Sequence, residues 1–313
     1  LSFSRPEGVV PWGIPVPDTE NQMMYVWCEE LSNYISALGY GRSDDENFKT
    51  FWPANVHVLG KDILRFHAIV WPAMLLSAGL SLPKRILAHG MIISGGKKMS
   101  KTIGNVIDPS ELIAEYDADT LRYYFAREMS PLDDGDITTE KFKNAYNANL
   151  ANGLGNLVSR TLKMSEQYFG GSVRGNIKDA PSVQTRGLGN DKREDLPGVT
   201  IPYFIFNETW PHYKAYMETY EINKASDAVW ELVGYLDQFI TDYEPFKLVK
   251  TDKATAEKVL WSILYGLNEI TKMINAIMPN TSLKIQELIA VNEENDAIIF
   301  TTKVPETPLF MRK

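Results

Sequence analysis

Apolar and aromatic positions recur at Ile63, Phe66, His67, Val70, Trp71, Met74 and Leu75, the i, i+3, i+4, i+7, i+8, i+11, i+12 rhythm of a helix that buries one stripe. NVHVLG (55–60) and RILAHGMII (85–93) flank it, each a short run of β-branched and aliphatic residues bounded by glycine, as in buried strands. The pattern predicts a strand, helix, strand unit of a parallel sheet, whose carboxyl edge is where such sheets bind ligands. VIDPSELIAEYDADTLRYYFARE (106–128) predicts two short helices, the first capped by Asp108 with Pro109 at its first position. Beyond about residue 138 the strand signals give way to helical periods at 139–168, 203–220, 223–243 and 254–278. Residues 170–198 are rich in glycine, proline and charge and are expected to form a surface insertion, poorly ordered in part. Residues 290–313 predict a polar turn and one short strand. The expected fold class is α/β then all-α: an α/β half over 1–138 and a helical bundle over 139–313.

Composition narrows the possible roles. The chain has 313 residues, 44% of them hydrophobic, enough for two domains with their own cores. No apolar run is long enough for a membrane helix, and the first residues lack the basic and apolar blocks of a signal peptide. One cysteine, Cys28, excludes an internal disulfide and an all-cysteine zinc site and fits a reducing, cytoplasmic setting. The four histidines are scattered, and no metal site is expected. A net charge of −8 argues against charge-driven nucleic-acid binding, although single-stranded bases are also read by stacking and hydrogen bonds.

Four stretches carry candidate chemistry, each with a plainer alternative. SGGKKMSKTIGN (94–105) is either a solvated loop or a set of mobile ammonium groups that close over a polyphosphate. YVWCEELSNY with GKDILRFHAIVWPA is either core or an aromatic pocket for an unbranched thioether, since sulfur meets aromatic edges favourably by roughly 0.3 to 1.5 kcal/mol per contact. Asp62 there doubles as an ordinary first-turn carboxylate. NAYNANLANGLGNLVSR (144–160) is dense in poor helix formers. Leu150, Leu154, Leu157 and Thr161 form its inward stripe, while Asn152, Asn156 and Arg160 share another face that either is solvated or reads splayed bases. In YEPFKLVK (243–250), Phe246 either caps the bundle or stacks on a base.

WGIPVP, YVW, FWPANVHVLGKDILRFHAIVWPA, HGMIISGGKKMSKTIGNVIDP and LRYYFARE, in this order, resemble the methionyl-tRNA synthetase family of class I aminoacyl-tRNA synthetases. The likeness runs over roughly residues 1 to 168. It implies a Rossmann-type catalytic domain followed by a helical anticodon-binding domain. It makes KMSKT, Lys98 to Thr102, the family's KMSKS loop with threonine in place of the last serine, and casts Lys98 and Lys101 as stabilisers of the pyrophosphate leaving group. By the same resemblance Trp27, Ile63, Phe66, His67 and Trp71 line a methionine pocket. Gly60, Asp62 and His89, with Lys98, Met99, Ser100, Lys101 and Thr102, would meet ATP, which enters with Mg2+ as a substrate, and Arg5 matches an active-site arginine. Asn152, Asn156 and Arg160 would read the CAU anticodon of tRNA(Met), with Phe246 where the family carries a tryptophan.

Three features of the family are missing from the sequence: a HIGH-like phosphate site, the acidic partner for the substrate amino group and the zinc-bearing insertion. The resemblance therefore implies the C-terminal part of a methionine-tRNA ligase, inactive alone and completed by an N-terminal catalytic half, supplied in trans if the chain is not a fragment. Two alternatives are a non-catalytic tRNA-binding remnant and a class I synthetase for another large aliphatic amino acid.

Overall fold

A computed structural model describes residues 4–183 and 199–313. The chain divides into two compact units, Leu1–Met91 and Ile92–Lys313.

The first unit begins with the antiparallel ribbon β1 (Ser4–Pro6) and β2 (Gln22–Met24), followed by α1 (Trp27–Ser36) and α2 (Glu46–Phe51). The predicted strand, helix, strand unit is present: β3 (His57–Gly60) and β4 (Ile86–His89) pair in parallel, with His57 opposite Ile86 and Gly60 opposite His89. Between them a 3-10 turn, Lys61–Ile63, leads into a wide turn at Phe66–Val70 and then α3 (Trp71–Ser77). The inward stripe falls as the rhythm requires, with His67, Val70, Trp71 and Leu75 buried and Phe66 and Met74 partly so. Leu31 and Ile35 of α1 pack against it. A parallel sheet is ordinarily covered on both faces. Here Val58, in the middle of β3, is 60% exposed.

The second unit departs from the expected strand at its start. RILAHGMII is not one strand: it breaks after His89, and β5 (Ile92–Ser94) pairs antiparallel with β6 (Lys97–Lys98) and parallel with β7 (Gly135–Asp136), not with β3 or β4. The lysine segment is therefore a hairpin in its own small sheet. Its two-residue turn, Gly95–Gly96, has φ of 62° and 72°, the left-handed pair that a tight hairpin needs and glycine supplies without strain. Helices α4 (Pro109–Glu115) and α5 (Ala118–Tyr123) follow, capped by Asp108 and Asp117 through Ser110 N–H and Thr120 N–H.

The helical part begins with α6 (Thr139–Ala145), which continues through wide turns at Tyr146–Gly155 into α7 (Asn156–Phe169), one rod over the predicted 139–168. Gly170 ends it in the left-handed conformation. The predicted period at 203–220 is α8 (Ile201–Phe204) running into α9 (Trp210–Glu218), that at 223–243 is α10 (Ile222–Tyr243), and that at 254–278 is α12 (Lys253–Ile274), with the short α11 (Pro245–Leu248) between the last two. An unpredicted helix, α13 (Pro279–Leu288), comes next.

The strand signals do not end at 138. β8 (Ser172–Gly175) joins β11 (Ile289–Glu294) and β12 (Ala297–Thr302) in a sheet ordered β11-β12-β8, and β9 (Ser182–Val183) pairs with β10 (Val199–Thr200). The expected insertion thus starts inside the core, where Val173 is fully buried; residues 184–198 lie outside the described residues. The predicted single strand near the end is a hairpin. Trp261 of α12 packs under this sheet and donates its indole N–H to Ile298 O at 2.9 Å. A Cβ on Gly175 would sit 2.6 Å from that ring, which is why glycine stands there.

The 106–128 segment is bolted to the bundle through α5. Buried Asp119 accepts from Thr281 N–H (2.6 Å) at the start of α13, and Arg122 donates to Ala276 O (2.9 Å) and Ile277 O (2.6 Å) beyond the end of α12. An anion thus meets a helix N-terminus and a cation a C-terminus. Among the described residues no helix is long and apolar enough to cross a membrane, and no group of three or more His, Cys, Asp or Glu is placed to hold a metal ion.

Candidate functional site

The predicted pocket residues of the first unit come together. Trp27 opens α1 and stacks on Phe66 with centroids 4.0 Å and planes 10° apart. The edge of His67 meets Trp27 at 6.4 Å. His67 Nδ1–H donates to Ile63 O at 3.0 Å, since a carbonyl only accepts, so Nε2 of the neutral ring is left to accept from the Tyr34 hydroxyl, also at 3.0 Å. Beneath them Trp71, 1% exposed, donates its indole N–H to His57 Nε2 at 3.3 Å. The result is an aromatic wall over a base whose polar atoms are already satisfied by one another.

Two members of this base, Tyr34 and His57, were not among the sequence candidates. Tyr34 lies seven residues after Trp27, on the same side of α1, and that spacing was the available signal. Its ring also packs on His57 at 4.3 Å. Burial, helped by nearby His67, lowers the pKa of His57 from its ordinary 6.5. An unfolded chain therefore takes up a proton on His57 before the folded one does. The stability that neutral His57 contributes is complete above about pH 6.5 and is lost as pH falls through that value toward the lower folded one. Tryptophan fluorescence during urea unfolding at pH 7.5 and pH 5.5 should show the first unit less stable at the lower pH, and His57→Gln should flatten the difference.

At the carboxyl ends of β3 and β4, Gly60, Asp62 and His89 share a corner. A Cβ on Gly60 would lie 2.7 Å from Asp62 Oδ1 and 3.9 Å from His89 Cε1, so the missing side chain keeps an approach to the strand ends open. The His89 Nδ1–H donates to Gly90 O at 2.8 Å. Arg5 lies over the Tyr25 ring at 3.7 Å.

In the second unit, Lys97, Lys98 and Lys101 are exposed and none is paired with a carboxylate among the described residues. Met99 alone turns inward, against the cluster of Leu112, Leu121, Tyr124, Met129, Ile137 and Phe142. The hairpin tip is held by Asp136, whose Oδ1 accepts from Gly96 N–H at 3.1 Å. Lys141, 2.7 Å from its other oxygen, and the Gly96 amide draw the Asp136 pKa below the usual carboxylate value.

On the 139–169 rod, the amides divide into two groups. Asn147 pairs with the backbone of Lys313 and Asn149 with Glu128, while Gly155 makes room for Phe310. Asn152 and Asn156 are exposed, and their side chains have no hydrogen-bond partner among the described residues. Arg160 is held at 2.7 Å by Asp237 of α10, a partner that the sequence did not single out. Leu150, Leu154, Leu157 and Thr161 form the buried stripe as expected. Phe246 is 38% exposed, with Lys247 Nζ 6.0 Å from its ring centre.

A βαβ unit, a glycine-opened strand end and a lysine hairpin describe a class I aminoacyl-tRNA synthetase, and comparison with known proteins agrees. Residues 7–162 match the family model "tRNA synthetases class I (M)". The chain is 40% identical over 287 residues to the methionine-tRNA ligase of Caldanaerobacter subterraneus subsp. tengcongensis, covering 90% of this chain and 42% of that protein. It is 38% identical over 296 residues to that of Mesorhizobium japonicum, covering 93% and 52%. Among solved structures, Mycobacterium tuberculosis methionyl-tRNA synthetase in complex with methionyl-adenylate matches all of this chain and 60% of its own, with a TM-score of 0.81 and 30% identity. The chain belongs to the methionyl-tRNA synthetase family. It spans about half the length of the curated relatives it matches.

Proposed function

We propose that the chain supplies the methionine pocket, the lysine loop and the anticodon-reading helices of a methionine-tRNA ligase, which joins methionine to ATP as methionyl-adenylate and passes it to tRNA(Met). The observation that carries this reading is the Trp27–Phe66 wall over the His67–Tyr34 base. Because the base is satisfied internally, it asks no strong hydrogen bond of a substrate, and a thioether, a weak acceptor with a polarisable sulfur, fits it. A branched aliphatic side chain would meet the same wall without the sulfur contacts. The name shared by the relatives also favours methionine over another large aliphatic substrate.

The remaining roles follow the family. Gly60, Asp62 and His89 would receive the adenosine and ribose, and Arg5 would act at the reacting carboxylate. Lys98 and Lys101, with Met99, Ser100 and Thr102 between and beside them, would close on the phosphates of ATP, which brings Mg2+ with it. Asn152, Asn156, Arg160 and Phe246 would read CAU. The functional division falls near residue 138, with catalytic parts before it and the anticodon-binding part after it, in an enzyme of cytoplasmic translation. The exposure of Val58 supports a further layer of polypeptide over β3, and an N-terminal catalytic half is the occupant this reading assigns.

A second reading, a tRNA-binding remnant, is favoured by the larger core of the second unit and the two-stranded parallel sheet of the first. Methionine-dependent exchange of pyrophosphate into ATP separates the two: completing the sheet restores exchange in a ligase and does nothing in a remnant, which binds only the anticodon stem-loop.

A further inference from the structure

The shape of the lysine loop depends on one side chain. Asn105 Oδ1 accepts from Ser100 N–H at 2.9 Å. Its Nδ2 donates to Ser94 O at 3.1 Å and Lys98 O at 3.3 Å, with Lys97 O at the margin, 3.5 Å away. One amide therefore ties the last residue of β5, both residues of β6 and the turn after them. Gly104, at φ 72°, bends the chain so that Asn105 folds back over what it follows. The turn itself closes by Ile103 N–H and Gly104 N–H to Ser100 O, at 3.2 and 3.0 Å.

Apart from this latch, the Asp136 bond to Gly96 at the tip and the short β5–β7 pairing, little orders this segment. The β5–β6 ladder is two residues long, and Met99 is the loop's one side chain in the neighbouring apolar cluster. Segments with so few buried contacts open at low free-energy cost. The latched atoms, Lys98 O and Ser100 N, flank Met99 and set the backbone from which Lys98 and Lys101 project. A polyphosphate meeting unpaired lysines on a preset backbone loses less conformational entropy than one that must order the loop itself.

We infer that Asn105 is a positioning residue, which holds the 94–105 hairpin in the form that presents Lys98 and Lys101 to a phosphate chain. The inference rests on the proposed synthetase reading of this loop. It goes beyond that reading in assigning the loop's competence to a residue that touches no phosphate.

The test uses the full chain, wild type and Asn105→Ala, with inorganic pyrophosphate as the probe. Amide hydrogen exchange reads Ser100 and the loop, and the thermal midpoint reads the fold. We expect Ser100 to lose protection by about tenfold in Asn105→Ala and pyrophosphate binding to weaken by about the same factor, as for one or two lost hydrogen bonds. The thermal midpoint should be unchanged, because α12 and the bundle core are untouched. Asn105→Gln, which retains the amide on a longer arm, should recover part of the pyrophosphate binding. Equal pyrophosphate binding by wild type and Asn105→Ala overturns the inference, whatever the exchange shows. A wild-type chain that binds no pyrophosphate overturns it together with the synthetase reading of the loop, and the wild-type arm alone identifies that case.

Discussion

Lys101→Ala, in the chain completed by an N-terminal half, should lower the rate of methionyl-adenylate formation by about 10²- to 10³-fold, the loss typical of removing one charge-stabilising donor from a transition state. Attack of the methionine carboxylate on the α-phosphate drives negative charge onto the departing pyrophosphate, so a lysine that meets it late stabilises the transition state more than bound ATP. The effect should fall on kcat and little on the KM for methionine, because the aromatic pocket lies in the other unit's sequence. The geometry supports an effect of this size: Lys101 is exposed and has no carboxylate partner among the described residues, so its charge is not already committed. Single-turnover formation of methionyl-adenylate measures it directly. A loss confined to the KM for ATP would mean that Lys101 binds ATP and its transition state equally.

Leu154→Ala should have the largest effect on stability. Leu154 is fully buried in the stripe that seats the 139–169 rod on the bundle, beside Gly155, which packs on Phe310. Truncating such a leucine leaves a cavity and costs about 2 to 5 kcal/mol. Urea unfolding followed by far-ultraviolet circular dichroism should show a lower midpoint for the second unit with an unchanged slope. Anticodon stem-loop binding should fall only as far as the folded fraction does. Asn156→Ala gives the complementary result, weaker stem-loop binding at unchanged stability, because the Asn156 side chain is exposed and makes no hydrogen bond among the described residues.

The contrast between these residues shows which features the sequence made legible. Period and burial were readable: the stripe from Ile63 to Leu75 and the one from Leu150 to Thr161 are one-dimensional patterns that local helix geometry converts directly into a buried face. Pairings between distant segments were not. β8 and β12 lie more than a hundred residues apart, and short strands with polar neighbours carry no period long enough to register. The hairpin at 92–98 was masked because Ile92 and Ile93 continue the apolar run of β4; the break at Gly90 is a tertiary decision, made where β5 leaves for β7. α13 starts at Pro279 without a side-chain cap and shows no strong apolar stripe.

In the site, the residues of recognised motifs were legible and those that hold them were not. Tyr34 fixes His67, His57 receives Trp71, Asp237 holds Arg160 and Asn105 latches the loop. Each acts through a contact formed only after folding, and only Tyr34, seven residues after Trp27, has a spacing that points to it. Asparagine at 147 and 149 looked like the same signal as at 152 and 156, yet the first pair serves the backbone of Lys313 and the side chain of Glu128. A run of one residue type therefore concealed two roles.

The central claim is that this chain carries the methionine and pyrophosphate machinery of a methionine-tRNA ligase and needs a further catalytic half to use it. Its most direct test is methionine-dependent pyrophosphate exchange into ATP by the purified chain, alone and mixed with a separately expressed N-terminal catalytic half of a methionine-tRNA ligase. The account predicts no exchange by either alone, exchange on mixing, and its loss with Lys101→Ala. Exchange by the chain alone, or none on mixing under conditions where the two polypeptides form a complex, would contradict it.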